Sequence, residues 1–337
     1  MLFRSHPQSK EEYALARTER KTARGYRGFA VHASPEVTLQ EDLARRDLTI
    51  NAMARGADGQ LIDPFGGERD LRAKVLRHVS PAFAEDPVRI LRLARFAARF
   101  GFAVAPETAA LMREMVDGGE ADALVAERVW QEFSRGLMER DPWRMLVELA
   151  QCGLLARRFP ELGIVLEDGK PANANSDRIA RALAFAAREN MVLAVRFALA
   201  TGGAREPLAQ LEALCESLRV PVECRDLAVL AARHGEAAAR AHRLAPRDLL
   251  GLLEACDAFR RPQRLAELMD VAEAECYGTR HWADIPFLPR HATRTALGAA
   301  RHVDAASLAA AGGDIGARIR AARYANVLQT LGGARPR

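Results

Sequence analysis

The sequence predicts a mostly α protein with a smaller, partial α+β portion at its N-terminal end, and three observations carry that reading. Beyond residue 100, apolar residues recur at helical spacing in one segment after another, rich in Ala and Leu and punctuated by Gly and Pro. Residues 12–20, Glu-Tyr-Ala-Leu-Ala-Arg-Thr-Glu-Arg, instead alternate loosely, as a half-exposed strand does. Between these regions lie short turn-forming motifs dense in Arg, Asp and Gly.

Taken in order, the strand is followed by a basic stretch from Lys21 to Phe29 that holds Arg24, Gly25, Tyr26, Arg27 and Gly28. It reads as a mobile loop or an ordinary hairpin connection. Arg45-Arg46-Asp47 then precedes the apolar stretch Leu48 to Ala54. One acid would suffice as a helix cap, and the two arginines beside it suit a triphosphate. Asp63-Pro64 with Gly66-Gly67 is turn chemistry, and Asp70-Leu71 leads into Val75 to His78.

The segment from Glu85 to Arg99 is the one around which the others are arranged. On a helix at about 100° per residue, Glu85, Arg89, Arg92 and Arg99 fall within an arc of about 80°, opposite Ile90, Leu91, Ala94 and Ala98. Pro87 suits the first turn of such a helix, and Glu85 and Asp86 suit its positive end. Two readings fit this pattern. The charges are solvated on a surface helix, or an Asp/Arg pair reads the edge of a base while neighbouring arginines hold phosphates.

Helical spacing continues over residues 107–116, 126–138 and 144–155. A polar, irregular stretch from Gly163 to Ser176 marks a boundary, and residues 178–200, 205–218, 222–242, 246–258 and 262–276 read as helices without tandem repeats. From Ile285 onward eight arginines stand against two acids. Among them Arg318, Arg320 and Arg323 fall on a helix beside Tyr324, which is either a surface for an RNA backbone or a solvated face.

The 337 residues are 49% hydrophobic, enough to bury real cores, so the chain is not a disordered one. Its net charge of +5 leans mildly toward polyanionic partners. Five cysteines without a CxxC pair argue against a disulfide framework or a zinc site, and for a reducing cytoplasm. No apolar run reaches the length of a membrane span and the start does not resemble a signal peptide, so the expected setting is cytoplasmic, away from membranes.

Three stretches together carry a resemblance: Arg45-Arg46-Asp47-Leu48-Thr49-Ile50-Asn51-Ala52; Asp63-Pro64-Phe65-Gly66-Gly67 with Asp70-Leu71; and Glu85-Asp86-Pro87-Val88-Arg89 with Arg92, Arg95 and Phe96. They resemble successive motifs of the class II tRNA nucleotidyltransferases, the CCA-adding enzymes. Glu11-Glu12-Tyr13 to Arg20-Lys21 and Arg77 to Phe83 are similar to the proteobacterial branch, and Glu127-Arg128-Val129 with Glu132 extends the match across residues 6–160.

The resemblance implies a partial nucleotidyltransferase head of polymerase β type at 1–75 and a helical neck with the nucleotide-selecting helix at 76–160. A helical body at 161–284 and a basic helical tail at 285–337 would follow. It implies addition of C, C and A to the tRNA 3′ end from CTP and ATP. Asp86 and Arg89 would form Watson–Crick-like bonds to the base, in a nucleotide-binding segment that begins at Glu85. Arg46, Arg92 and Arg95 would bind the nucleotide at its phosphates, and Asp47 would organise the sugar and the motif side chains. Arg318, Arg320 and Arg323 would meet the RNA.

Two departures from the family pattern matter. The family's Gly-Gly phosphate turn and the Asp-x-Asp pair that binds magnesium have no counterpart, so Mg2+ is implied for a complete enzyme whose metal ligands are missing here. Glu12 is left as the remaining acidic catalytic position. On that reading the chain transfers nucleotides poorly, residues 13–20 form an exposed edge, and a misplaced start codon is the simplest explanation. No His-Asp dipeptide occurs anywhere, and Arg196 to Glu206 stands where proteobacterial relatives carry a metal-binding phosphohydrolase motif, so no metal-dependent phosphatase activity is expected. The alternatives are a bacterial poly(A) polymerase, which shares the Arg-Arg-Asp and Glu-Asp-x-x-Arg motifs, and a non-catalytic tRNA-binding protein derived from the family.

Overall fold

The computed structural model describes residues 3–21, 29–202, 208–279, 286–304, 308 and 314–332; the expected loop at 22–28 lies outside them. The chain divides into two compact units, the first made of Met1–Pro160, Leu166–Lys170 and Ser217–Arg219, the second of the remainder.

The first unit opens with hairpins. β1 (Phe3–Ser5) pairs antiparallel with β2 (Glu12–Ala14), and β3 (Arg17–Lys21) with β4 (Phe29–Ala33). The single strand expected over 12–20 is thus broken at Leu15-Ala16, and its halves enter different ladders. α1 (Leu39–Ala44) starts at a capping box, in which Thr38 and Glu41 satisfy each other's backbone N–H groups. A 3-10 turn (Thr49–Asn51), the short pair β5 (Ala54–Arg55) and β6 (Leu61–Ile62), and α2 (Gly67–Ala73) follow. β7 (Val75–Leu76) pairs in parallel with β8 (Ala103–Val104), and the chain between them forms the helix on which the site is built, α3 (Val88–Phe100).

Pro87 is the N-cap of α3, one position before the expected first turn, and Glu85 closes a preceding 3-10 turn, Pro81–Glu85. The helix ends at Gly101, whose φ of 69° is the left-handed conformation that glycine adopts without a Cβ penalty. Val88, Ile90, Leu91, Leu93, Ala94, Phe96, Ala97 and Ala98 are buried, while Arg89 and Arg92 are half-buried and Arg99 is exposed. The packed side meets α5 (Ala126–Leu137) and α6 (Pro142–Gln151), flanked in sequence by α4 (Pro106–Asp117) and α7 (Leu154–Arg158). α5 and α6 approach closely at Gly136, where a Cβ would collide with the Met145 sulfur.

The second unit is helical: α8 (Ala174–Arg188), α9 (Leu193–Ala200), α10 (Leu208–Ser217), α11 (Val222–Ala239), α12 (Pro246–Ala255), α13 (Pro262–Thr279), α14 (Leu288–Arg301) and α15 (Ile315–Gly332). The helix expected over 178–200 is split after α8, where Asn190 takes a φ of 52°. α8 packs on α13, α11 on α9 and α13, and α14 on α15. The stretch read as irregular contains a two-residue pairing of β9 (Leu166–Glu167) with β10 (Lys170–Pro171). The chain is therefore mostly α with a partial α+β portion, and among the described residues no helix is long and apolar enough to cross a membrane.

Candidate functional site

The motifs at 45–52, 63–71 and 85–96 converge, and side-chain chemistry explains how. Both Asp63 carboxylate oxygens accept backbone N–H bonds at the start of α2, from Gly67 at 2.7 Å and Glu68 at 2.9 Å. Gly67 is then pressed against the Thr49 carbonyl, leaving no room for a Cβ. Asp70, one turn further, is buried and accepts from the Thr49 hydroxyl at 2.9 Å and from Arg77 Nε at 3.0 Å. The second motif therefore acts as a mount for the first.

On that mount, Asp47 is 7% exposed and accepts from Leu48 N at 2.9 Å, Asn51 Nδ2 at 3.0 Å and Arg92 Nε at 2.8 Å. Burial by itself would raise its carboxyl, but the Arg92 charge and these donors outweigh it and hold Asp47 below the ordinary carboxylate value. Arg92 also lies 3.7 Å from Glu132 Oε1 on α5. Arg46 points its guanidinium at the Asn51 carbonyl (3.1 Å) and Asp42 (3.4 Å) and stays 43% exposed at its side chain. Asp42 is buried on α1 and pairs with Arg45 at 2.6 Å. It was not singled out in the sequence, although acid and base three and four positions apart at a helix end are a readable signal.

Arg95 departs from its expected place. It is 7% exposed, donates to Glu132 at 2.7 Å and Glu139 at 3.4 Å, and lies over the Phe96 ring. It sits inside a buried ion pair rather than on an open surface, because Glu132 on α5 and Glu139, just past the end of that helix, supply carboxylates on that side of α3.

Asp86 and Arg89 are three positions apart, the Arg89 N–H donating to the Asp86 carbonyl at 2.9 Å, and both side chains are engaged. The Asp86 carboxylate accepts from Val88 N at 3.1 Å and from both arms of Arg128, at 3.1 and 2.8 Å. Arg89 donates to the carbonyls of Ala82 at 2.8 Å and Arg45 at 2.6 Å. An acceptor and a donor at the start of α3 are thus each held by the surrounding chain.

The other expected residues are on other elements. Glu12 is in β2, opposite Ser5. Arg318, Arg320 and Arg323 lie on α15: Arg318 reaches the Leu308 carbonyl at 3.5 Å, Arg320 pairs with Glu254 at 2.8 Å, and Arg323 stacks 3.6 Å from the Phe259 ring centre.

The profile described as "Poly A polymerase head domain" matches residues 3–77, and that described as "Probable RNA and SrmB- binding site of polymerase A" matches 101–164. The chain is 52% identical to the Multifunctional CCA protein of Chromobacterium violaceum, over 95% of this chain and 85% of that protein. It is 50% identical to the Multifunctional CCA protein of Azoarcus sp., over 96% and 84%. Among solved structures it resembles the Bacillus stearothermophilus CCA-adding enzyme in complex with CTP, with a TM-score of 0.64 and 21% identity over 98% of this chain and 77% of that one. The Thermotoga maritima CCA-adding enzyme complexed with tRNA gives a TM-score of 0.61 and 20% identity over 99% and 78%, so both share its fold.

Proposed function

This chain belongs to the CCA-adding tRNA nucleotidyltransferase family, and from that premise we propose that Asp86 and Arg89 read the base of an incoming CTP or ATP. Cytosine and adenine each present an exocyclic amino donor beside a ring-nitrogen acceptor on the pairing edge, whereas uracil and guanine present a carbonyl acceptor beside an N–H donor. A carboxylate beside a guanidinium matches the first pattern and opposes the second. The observation that carries this reading is that a carboxylate and a guanidinium three positions apart at the start of α3 are each anchored by the chain around them.

Arg46 and Arg92, both partly exposed, take the phosphates, and Asp47 fixes Arg92 in place. Arg95 is assigned a supporting task, since its guanidinium is consumed by Glu132 and Glu139. A tRNA ending before its CCA is the acceptor, with Arg318, Arg320 and Arg323 toward its backbone.

The family uses a divalent metal, which we take to be Mg2+. Among the described residues no group of three or more His, Cys, Asp or Glu could hold a metal ion, so the described residues do not fit that group.

Equilibrium binding of CTP, ATP, UTP and GTP tests the assignment. The chain is expected to prefer CTP and ATP, and Arg89→Ala is expected to erase about 1–3 kcal/mol of that preference. An Arg89→Ala chain with its preference intact would overturn it. Incorporation of labelled CTP and ATP into tRNA lacking CCA separates CCA addition from A-only addition.

A further inference from the structure

We propose that Arg128 is a positioning residue for base selection, resting on the assignment of Asp86 as the acceptor that reads the base. Asp86 belongs to an extended link between a 3-10 turn and α3, with φ −125° and ψ 102°, so no regular backbone pairing fixes its side chain. The fixing comes from elsewhere. The Arg128 guanidinium clasps the carboxylate with both arms, and Val88 N holds Oδ1 from the other side. A planar fork on a carboxylate sets both the position and the plane of the acceptor, which a point charge does not. A carboxylate offers about four acceptor sites, and these bonds fill three, leaving room for an amino group of the base.

The placement of Arg128 on α5 strengthens the case. Glu132 stands one turn further along the same helix and meets Arg92 and Arg95. α5 thus offers a cation and then an anion at i and i+4, and the 86–95 segment answers with an anion and then cations. The two pairs act as a charge-keyed register that aligns the base-reading segment at two points. Arg128 then governs which bases are accepted, and Glu132, through Arg92, governs affinity for every triphosphate.

Equilibrium binding of CTP, ATP, UTP and GTP to the full chain tests this. Arg128→Gln is expected to lower the preference for CTP over UTP by about tenfold while changing CTP affinity much less, and Glu132→Gln to weaken all four together. Arg128→Lys, which keeps the charge and loses the fork, is expected to fall between wild type and Arg128→Gln. It carries the same test if the Gln variant does not fold. Asp86→Asn combined with Arg128→Gln is expected to be no less selective than Asp86→Asn alone. Equal weakening of all four nucleotides by Arg128→Gln, or additive losses in the double variant, would overturn the positioning role while leaving Asp86 as the reader. Wild-type selectivity in Asp86→Asn would instead overturn the base-reading assignment, and the role of Arg128 with it.

Discussion

The two units bury different things. Among the described residues, the buried carboxylates Asp42, Asp47, Asp70, Glu132 and Glu148 all belong to the first unit. The second unit buries Ser176, Thr201 and Thr293, with Arg196 as its buried charge, its guanidinium donating to the Met191 carbonyl at 2.9 Å. Burying paired charges seldom stabilises a fold more than apolar side chains of the same volume, so stability alone gives no reason to concentrate them. Their concentration in the first unit marks where the chain holds side chains in defined positions rather than merely packing them.

That comparison is most severely tested by Glu132→Ala. It strips the buried Arg95 and the half-buried Arg92 of a shared carboxylate, and urea denaturation is expected to show a loss of about 3–5 kcal/mol. A loss below about 1 kcal/mol would mean that the network is dispensable to the fold. Next in size, Arg92→Ala is expected to weaken binding of all four triphosphates by about 1.5–3 kcal/mol each without changing their ranking, as titration calorimetry would show. A changed ranking would place Arg92 at the base.

Acid is expected to act on the first unit. Because Asp47 is held below its ordinary value of 3.8, its contribution is complete above that value and is lost as the pH falls through the lower folded value. Melting temperatures measured between about pH 5 and pH 2 are therefore expected to fall less steeply in Asp47→Asn than in the wild type. Glu148 has the opposite sign. Burial raises it above 4.5 against the opposing charge of Arg144, so its contribution is present below the ordinary value and lost as the pH rises through the folded value. The smallest effect is expected at Arg320→Ala in the second unit, where the side chain is 61% exposed and its pair with Glu254 is worth under about 1 kcal/mol. A larger loss in denaturation would erase the contrast between the units.

Periodicity made the helices legible, and the packed and charged sides of α3 stood out from spacing alone, because burial on one side imposes a 3.6-residue rhythm. Breaks were harder to see. The splits at Leu15-Ala16 and at Asn190 follow from backbone conformations that no apolar pattern encodes. The burial of Arg95 was readable in principle, since it sits about 60° around the helix from Arg92 and outside the arc shared by Arg89, Arg92 and Arg99. Arg128 was not readable in this way. Its partner Asp86 lies 42 residues away, and only the packing of α5 on α3 brings them together.

Gly67 has a consequence for how the first unit opens. With no space between it and the Thr49 carbonyl, and with Asp70 bonded to Thr49 and Arg77, the segments around residues 47–52, 66–71 and 75–78 cannot loosen piece by piece. Their amides should exchange with solvent deuterium as one cooperative block, at a shared rate set by a single opening event, while the exposed Thr38 end of α1 frays independently.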